Sequence, residues 1–126
     1  MTRQRLYVPG VEHKAPIPMG IKIGSMVFSS AISGKDPKTG KLPSDVKDEV
    51  KFVFEHIKTL VEDAGGTTDD IAKFTVNLTD NSLRELVNEE WMKMFPNEND
   101  RPVRHITLYE PNNSAHIQIE FIAVLS

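Results

Sequence analysis

Between Val46 and Leu108 the spacing of apolar residues runs helical, alternating, helical and alternating again, and few folds accept that order. Val46, Val50, Val53, Phe54, Ile57, Leu60 and Val61 recur at helical intervals. At ~100° per residue they fill a stripe roughly 120° wide, enough for a helix to lay one face on a sheet. Lys47, Asp48, Lys51, Glu55, Lys58 and Glu62 fall outside the stripe. His56 sits just off it, which predicts a boundary or surface histidine rather than a ligand. Ser44 or Asp45 is placed to cap this helix, and Gly65-Gly66 to stop it, because glycine tolerates the left-handed conformation.

The alternating segment that follows places Ala72, Phe74, Val76 and Leu78 on one side and Lys73, Thr75, Asn77 and Thr79 on the other, as in a strand covered on one face. Ser82 is the expected cap of a second helix with the stripe Leu83, Leu86, Val87, Trp91 and Met94. Glu90 lies within that stripe and is expected to pair with a lysine or to mark the edge of the buried patch. After the polar residues 96–100, the stretch 101–124 reads as two arms around the turn-rich residues 110–114, which predicts a hairpin. In its first arm Val103, His105, Thr107 and Tyr109 point one way, and Arg104, Ile106 and Leu108 the other. Arg104 is then either an edge residue reaching for water or a fixed guanidinium whose planar fork matches an anion.

The amino-terminal part is strand-rich. Residues 4–8 fit a short edge strand ended by Pro9-Gly10. Residues 13–19 hold Pro16 and Pro18 and are expected to be extended and loop-like. Residues 21–23 and 26–32 fit two strands joined at Gly24-Ser25, the second buried on both faces at its start. The small residues Ser29 and Ser30 at its end mean tight packing, or a close approach by a ligand or another chain. Residues 34–43 form a turn-rich loop. The segments 26–78 and 72–108 each read as a β-α-β unit, so the expectation is one α+β domain over residues 1–126, with both helices on one face of the sheet. Thr75, Asn77, Arg104, Ile106, Gln118 and Glu120 are assigned to the other face. A face of that mixed character is seldom left to water, and an oligomer would cover it.

Composition narrows the functions. A chain of 126 residues is long enough for a real core. Its net charge of −3 offers no basic excess for a phosphate backbone, so nucleic acid is an improbable partner. The absence of cysteine removes disulfides, thiolate catalysis and cysteine zinc sites. No signal peptide follows Arg3 and Arg5, and no apolar run is long enough to span a membrane, so a cytoplasmic location is the default.

Several pieces together resemble the RidA (YjgF) family of reactive intermediate or imine deaminases. They are Ala15-Pro16, residues 23–30, residues 36–46, residues 61–65, Asn88, the run Arg101-Pro102-Val103-Arg104, and residues 117–124. The resemblance implies a homotrimer with a chorismate-mutase-like fold, its sheets inside. It also implies clefts between subunits that bind small carboxylic acids. Better-known members hydrolyse 2-imino or 2-enamino acids to 2-oxo acids and ammonia, with no metal and no organic cofactor.

Carried over by position, Arg104 matches the arginine that holds the substrate carboxylate. Ile106 matches a residue whose backbone contacts substrate, Ser30 the cleft serine, and Asn88 a nearby asparagine. Three positions depart from the pattern. Ile17 stands for the usual tyrosine, Ala31 for a glycine, and Gln118 for the glutamate credited with positioning the attacking water. Glu120 shares the face of Gln118 and is the alternative carboxylate. His105, directly after the arginine, is also unusual and faces away from it. The expected catalytic pair is therefore Arg104 and Glu120, with Ile17, Ser30, Ala31, Asn88, Ile106 and Gln118 lining the substrate. A non-catalytic small-acid binder or sensor of the same fold is the runner-up, and the ribonuclease activity attached to some members comes third.

Overall fold

In the computed structural model, which describes residues 2–110 and 115–126, the chain runs β1 (Gln4–Leu6), β2 (Gly20–Ile23), β3 (Met26–Ser29), β4 (Ile32–Ser33), α1 (Val46–Asp63), β5 (Ile71–Leu78), α2 (Arg84–Met94), β6 (Val103–Leu108) and β7 (Ile117–Val124). Asp45 caps α1, its carboxylate accepting from Lys47 N at 2.9 Å. The stop at Gly65 is as expected: with φ at 92° it lets Gly66 N donate back to Val61 O at 3.0 Å. The entry to α2 differs. Asp80, not Ser82, accepts there, bonding Ser82 N at 2.8 Å and starting a short 3-10 turn over 81–83 that runs into the helix. Asp80 has the extended backbone of a cap, and its carboxylate suits the positive end of a helix start.

The strands form one mixed sheet in the order β1-β2-β3-β7-β5-β6, with β4 also paired to β7. The expected hairpin of 101–124 does not form. β5 inserts between its two arms, parallel to β6 and antiparallel to β7. The β5-α2-β6 segment satisfies β6 through a helical crossover, so β6 has no need of β7. Most of the turn assigned to that hairpin, residues 111–114, lies outside the described residues. The strand expected over 26–32 is broken at Ser30-Ala31. Phe28 pairs with Ile122, but Ile32 pairs with Ile119, a one-residue shift typical of a bulge. At the break, Ser29 Oγ accepts from Phe121 N at 2.8 Å. The start of that strand is buried on one side only, since Val27 is buried while Phe28 is 37% exposed.

Both helices pack on one face and build a single core, where Phe74 meets Phe54, Trp91 and Phe95 in tilted and edge-on contacts at 5.3 to 5.8 Å. A bulge between Ile71 and Lys73 turns Ile71 into the core and leaves Ala72 exposed, contrary to the simple alternation. Glu90 pairs with Lys93 at 3.1 Å, as one of the two expectations had it. His56 is not at the surface: it is 2% exposed, with Nε2 at 2.6 Å from Lys35 O and its ring stacked on Phe52. A ring nitrogen bonded to a carbonyl removes the penalty that would keep a histidine out of the core. Among the described residues no helix is long and apolar enough to cross a membrane.

Candidate functional site

The parallel register between β5 and β6 decides where Arg104 goes. Phe74 lies beside Arg104 and Val76 beside Ile106, and paired neighbours share a sheet face. Phe74 and Val76 are core residues, so Arg104 and Ile106 are on the helix face, not on the open face assigned to them from sequence. The face of β6 is decided by its register against β5, Phe74 beside Arg104 and Val76 beside Ile106. Ile106 is partly buried and packs against the core. β6 is the outer strand of the sheet, so one side of its backbone is unpaired among the described residues.

Arg104 is held flat. Its guanidinium carbon lies 4.9 Å from the centre of the Trp91 ring, a cation–π contact that fixes the plane of the fork. Nη1 is buried and, among the described residues, has no hydrogen-bond partner. Burial, and then the charge of Arg84, hold the guanidinium below its usual range, and it stays protonated. A buried charged donor left open costs the fold its desolvation, and an anion relieves that cost. Arg101 sets the approach, with Nε donating to Phe95 O at 2.8 Å just before β6 begins. Asn88 is half-buried one helical turn before Trp91, on the helix that backs the arginine.

The other expected residues lie elsewhere. Gln118 pairs with Asn77 and with Ser33, and Glu120 with Thr75, all on the open face. There Phe28, Lys73, Thr75 and Glu120 border a shallow hollow of ≈ 170 Å³. Ser30 and Ala31 sit at the break between β3 and β4. Ile17 is 49% exposed in the loop before β2. Since β7 and β5 separate β3 from β6, the Ser30 end of β3 is about three strand steps, roughly 14 Å, from Arg104. Arg104 and Asn88 therefore form one group, Gln118 and Glu120 a second, and Ser30, Ala31 and Ile17 belong to a third region. One copy of the chain does not bring these together.

Two features escaped the sequence reading. Trp91 was legible only as a core residue of α2, because nothing in its spacing announces an arginine one strand away. His13, in the proline-flanked loop, has Nε2 at 2.6 Å from Ser30 Oγ. A histidine upstream of two prolines gives no hint of a partner beyond the next strand.

The fold is a two-helix α+β sheet carrying, on its outer strand, an arginine whose Nη1 is unpartnered among the described residues. The chain belongs to the RidA/YjgF family: the family profile described as Endoribonuclease L-PSP matches residues 12–125. It is 34% identical over 113 residues to TdcF of Escherichia coli (strain K12), covering 88% of each chain. It is 34% identical over 111 residues to the 2-iminobutanoate/2-iminopropanoate deaminase of Salmonella typhimurium, covering 86% of this chain and 87% of that one. Among solved structures, E. coli TdcF with bound serine superposes with a TM-score of 0.88 at 30% identity, over 98% of this chain and 99% of the other. RidA from the Antarctic bacterium Psychrobacter also gives 0.88, at 29% identity over 98% and 100%.

Proposed function

We propose that this chain assembles as a homotrimer whose clefts between subunits hydrolyse 2-imino or enamino acids to 2-oxo acids and ammonia. The observation that carries the reading is the open Nη1 of Arg104, buried against Trp91 at the edge of the sheet. A carboxylate laid on that fork would accept the unmet donor and fix the substrate's orientation. Relatives named as deaminases of imino acids supply the class of substrate. The trimer is supported by the scattering of the remaining expected residues over two further regions of one copy. It is also supported by the apolar side chains Phe28, Val103 and Val124 on the open face, 37%, 66% and 45% exposed. Sedimentation equilibrium at micromolar concentration is expected to give about three times the 14.2 kDa of the chain, and a stable monomer would remove the shared cleft.

In the proposed cleft Arg104 anchors the acid and Ile106 offers backbone. Gln118 orients water by hydrogen bonds but does not take its proton at neutral pH. Gln118→Glu supplies a proton acceptor and is expected to raise imine hydrolysis by at most about 10²-fold, since Ile17 leaves the cleft without a tyrosine. The assay is release of 2-oxo acid from an imine generated in place by an amino-acid oxidase. If Glu120 is the working carboxylate, Glu120→Gln lowers the rate and Gln118→Glu does little. The second reading, a binder without turnover, is favoured by Gln118 itself and by the serine-bound relative. It predicts small-acid binding with no gain over the buffer rate in any of these proteins. Ribonuclease activity is disfavoured by the net charge of −3.

A further inference from the structure

The break after β3 holds a polar pair that the reading above does not use. Ser30 N donates to Met19 O at 2.9 Å, and the Ser30 hydroxyl is placed to donate to the same carbonyl at 3.0 Å. His13 Nε2 lies 2.6 Å from the same hydroxyl. Ser30 therefore has a carbonyl on one side, an imidazole on the other, and one proton to place between them. Burial, and then the charge of Lys35, keep His13 below the ordinary histidine range, so the ring is neutral at pH 7. Lys35 comes from the segment after β4, whose carbonyl contacts His56 Nε2 at 2.6 Å; Met19 and Ser30 bring no charge, and Glu12 and Lys14 flank His13 in its own segment. When the hydroxyl turns its proton from Met19 O to Nε2, the neutral imidazole is placed as a base acting through it.

We infer that His13, acting through Ser30, carries the proton that Gln118 does not take. This rests on the deaminase reading and on Ser30 lining the cleft. As the oxygen of water bonds to the carbon of the protonated imine, one water proton passes to Ser30 Oγ while the serine's own proton passes to His13 Nε2. The product is a neutral carbinolamine beside an imidazolium. The proton returns through Ser30 to the amine nitrogen. The C–N bond then breaks as the hydroxyl electrons close the carbonyl, and the hydroxyl proton leaves with ammonia as ammonium. Protonated imine and water give 2-oxo acid and ammonium, with His13 and Ser30 restored. His13 is a positioning and relay residue; Ser30 is the group that meets water.

The test is the pH profile of imine hydrolysis, as the ratio to the buffer rate, in wild type and His13→Gln. In wild type the ratio is expected to rise with pH through a single limb below about pH 6.5, where His13 loses its proton, and then level off. In His13→Gln the plateau is expected to fall by about 10²-fold and the limb to vanish, with small 2-oxo acid binding unchanged. A His13→Gln protein that keeps both the limb and the plateau overturns the inference and leaves the deaminase reading standing. A wild-type ratio of one at every pH overturns both. Should His13→Gln fail to fold, the His13 ring is titrated by NMR in wild type. A midpoint that matches the kinetic limb supports the relay, and one that does not match overturns it.

Discussion

Arg104→Ala is expected to bind small 2-oxo acids at least about 10²-fold more weakly than wild type by calorimetry, with no loss of fold. Two charge-assisted hydrogen bonds to a carboxylate are worth about 3–6 kcal/mol together, and alanine removes both. Stability should change little, because Nη1 is already buried without a partner among the described residues and its removal relieves a desolvated charge. What is lost from the fold is the contact with Trp91, worth about 0.5–1 kcal/mol. Arg104→Lys is expected to recover little, since a point charge on a flexible stem neither stacks on the indole in the same way nor offers a fork. Unchanged affinity in both variants would take Arg104 out of the site.

Gly34→Ala carries the largest expected effect on stability. A Cβ there would run into the backbone oxygen of Glu49 and stand 2.7 Å from its carbonyl carbon. Backbone on a helix interior does not yield as a side chain would, so α1 must move away from β4. The same Glu49 is 1% exposed, and its carboxylate accepts from His116 N at 2.7 Å and faces His116 Nδ1 at 2.9 Å. Moving α1 pulls a buried carboxylate from its donors at the entrance to β7, next to Gln118. Overpacking costs about 1–3 kcal/mol, and loosening a buried, charge-assisted pair adds to it. A fall in Tm of about 10 °C or more is expected by circular dichroism. A Tm within about a degree of wild type would mean that the approach of α1 to β4 is not as close as described.

The elements were legible because each follows local periodicity. The α1 stripe, its glycine stop, and the alternation of Phe74, Val76 and Leu78 need only nearest neighbours, and the structure agrees with all three. Pairing was less legible. Whether β6 lies beside β7 or beside β5 depends on which contacts win at long range. The turn-rich residues between the two arms suggested a hairpin that α2 and the parallel crossover override. Register against β5 likewise decides the face of Arg104 and Ile106, which the sequence reading puts on the open side. His56 shows a similar limit: a carbonyl 21 residues away along the chain takes a histidine into the core. Arg104 and Ser30 stood out by residue type and place along their strands, and the other site residues came from the resemblance to a family, not from spacing.

The measurement that tests the account most directly is release of 2-oxo acid from an imino acid generated in place, with purified protein at fixed pH. Wild type is expected to shorten the lifetime of the imine in proportion to enzyme concentration, with saturation as imine is raised, and Arg104→Ala to return it to the buffer value. An imine that decays at the buffer rate with wild type, while calorimetry still records binding of small acids lost in Arg104→Ala, would contradict the deaminase and leave a binding protein.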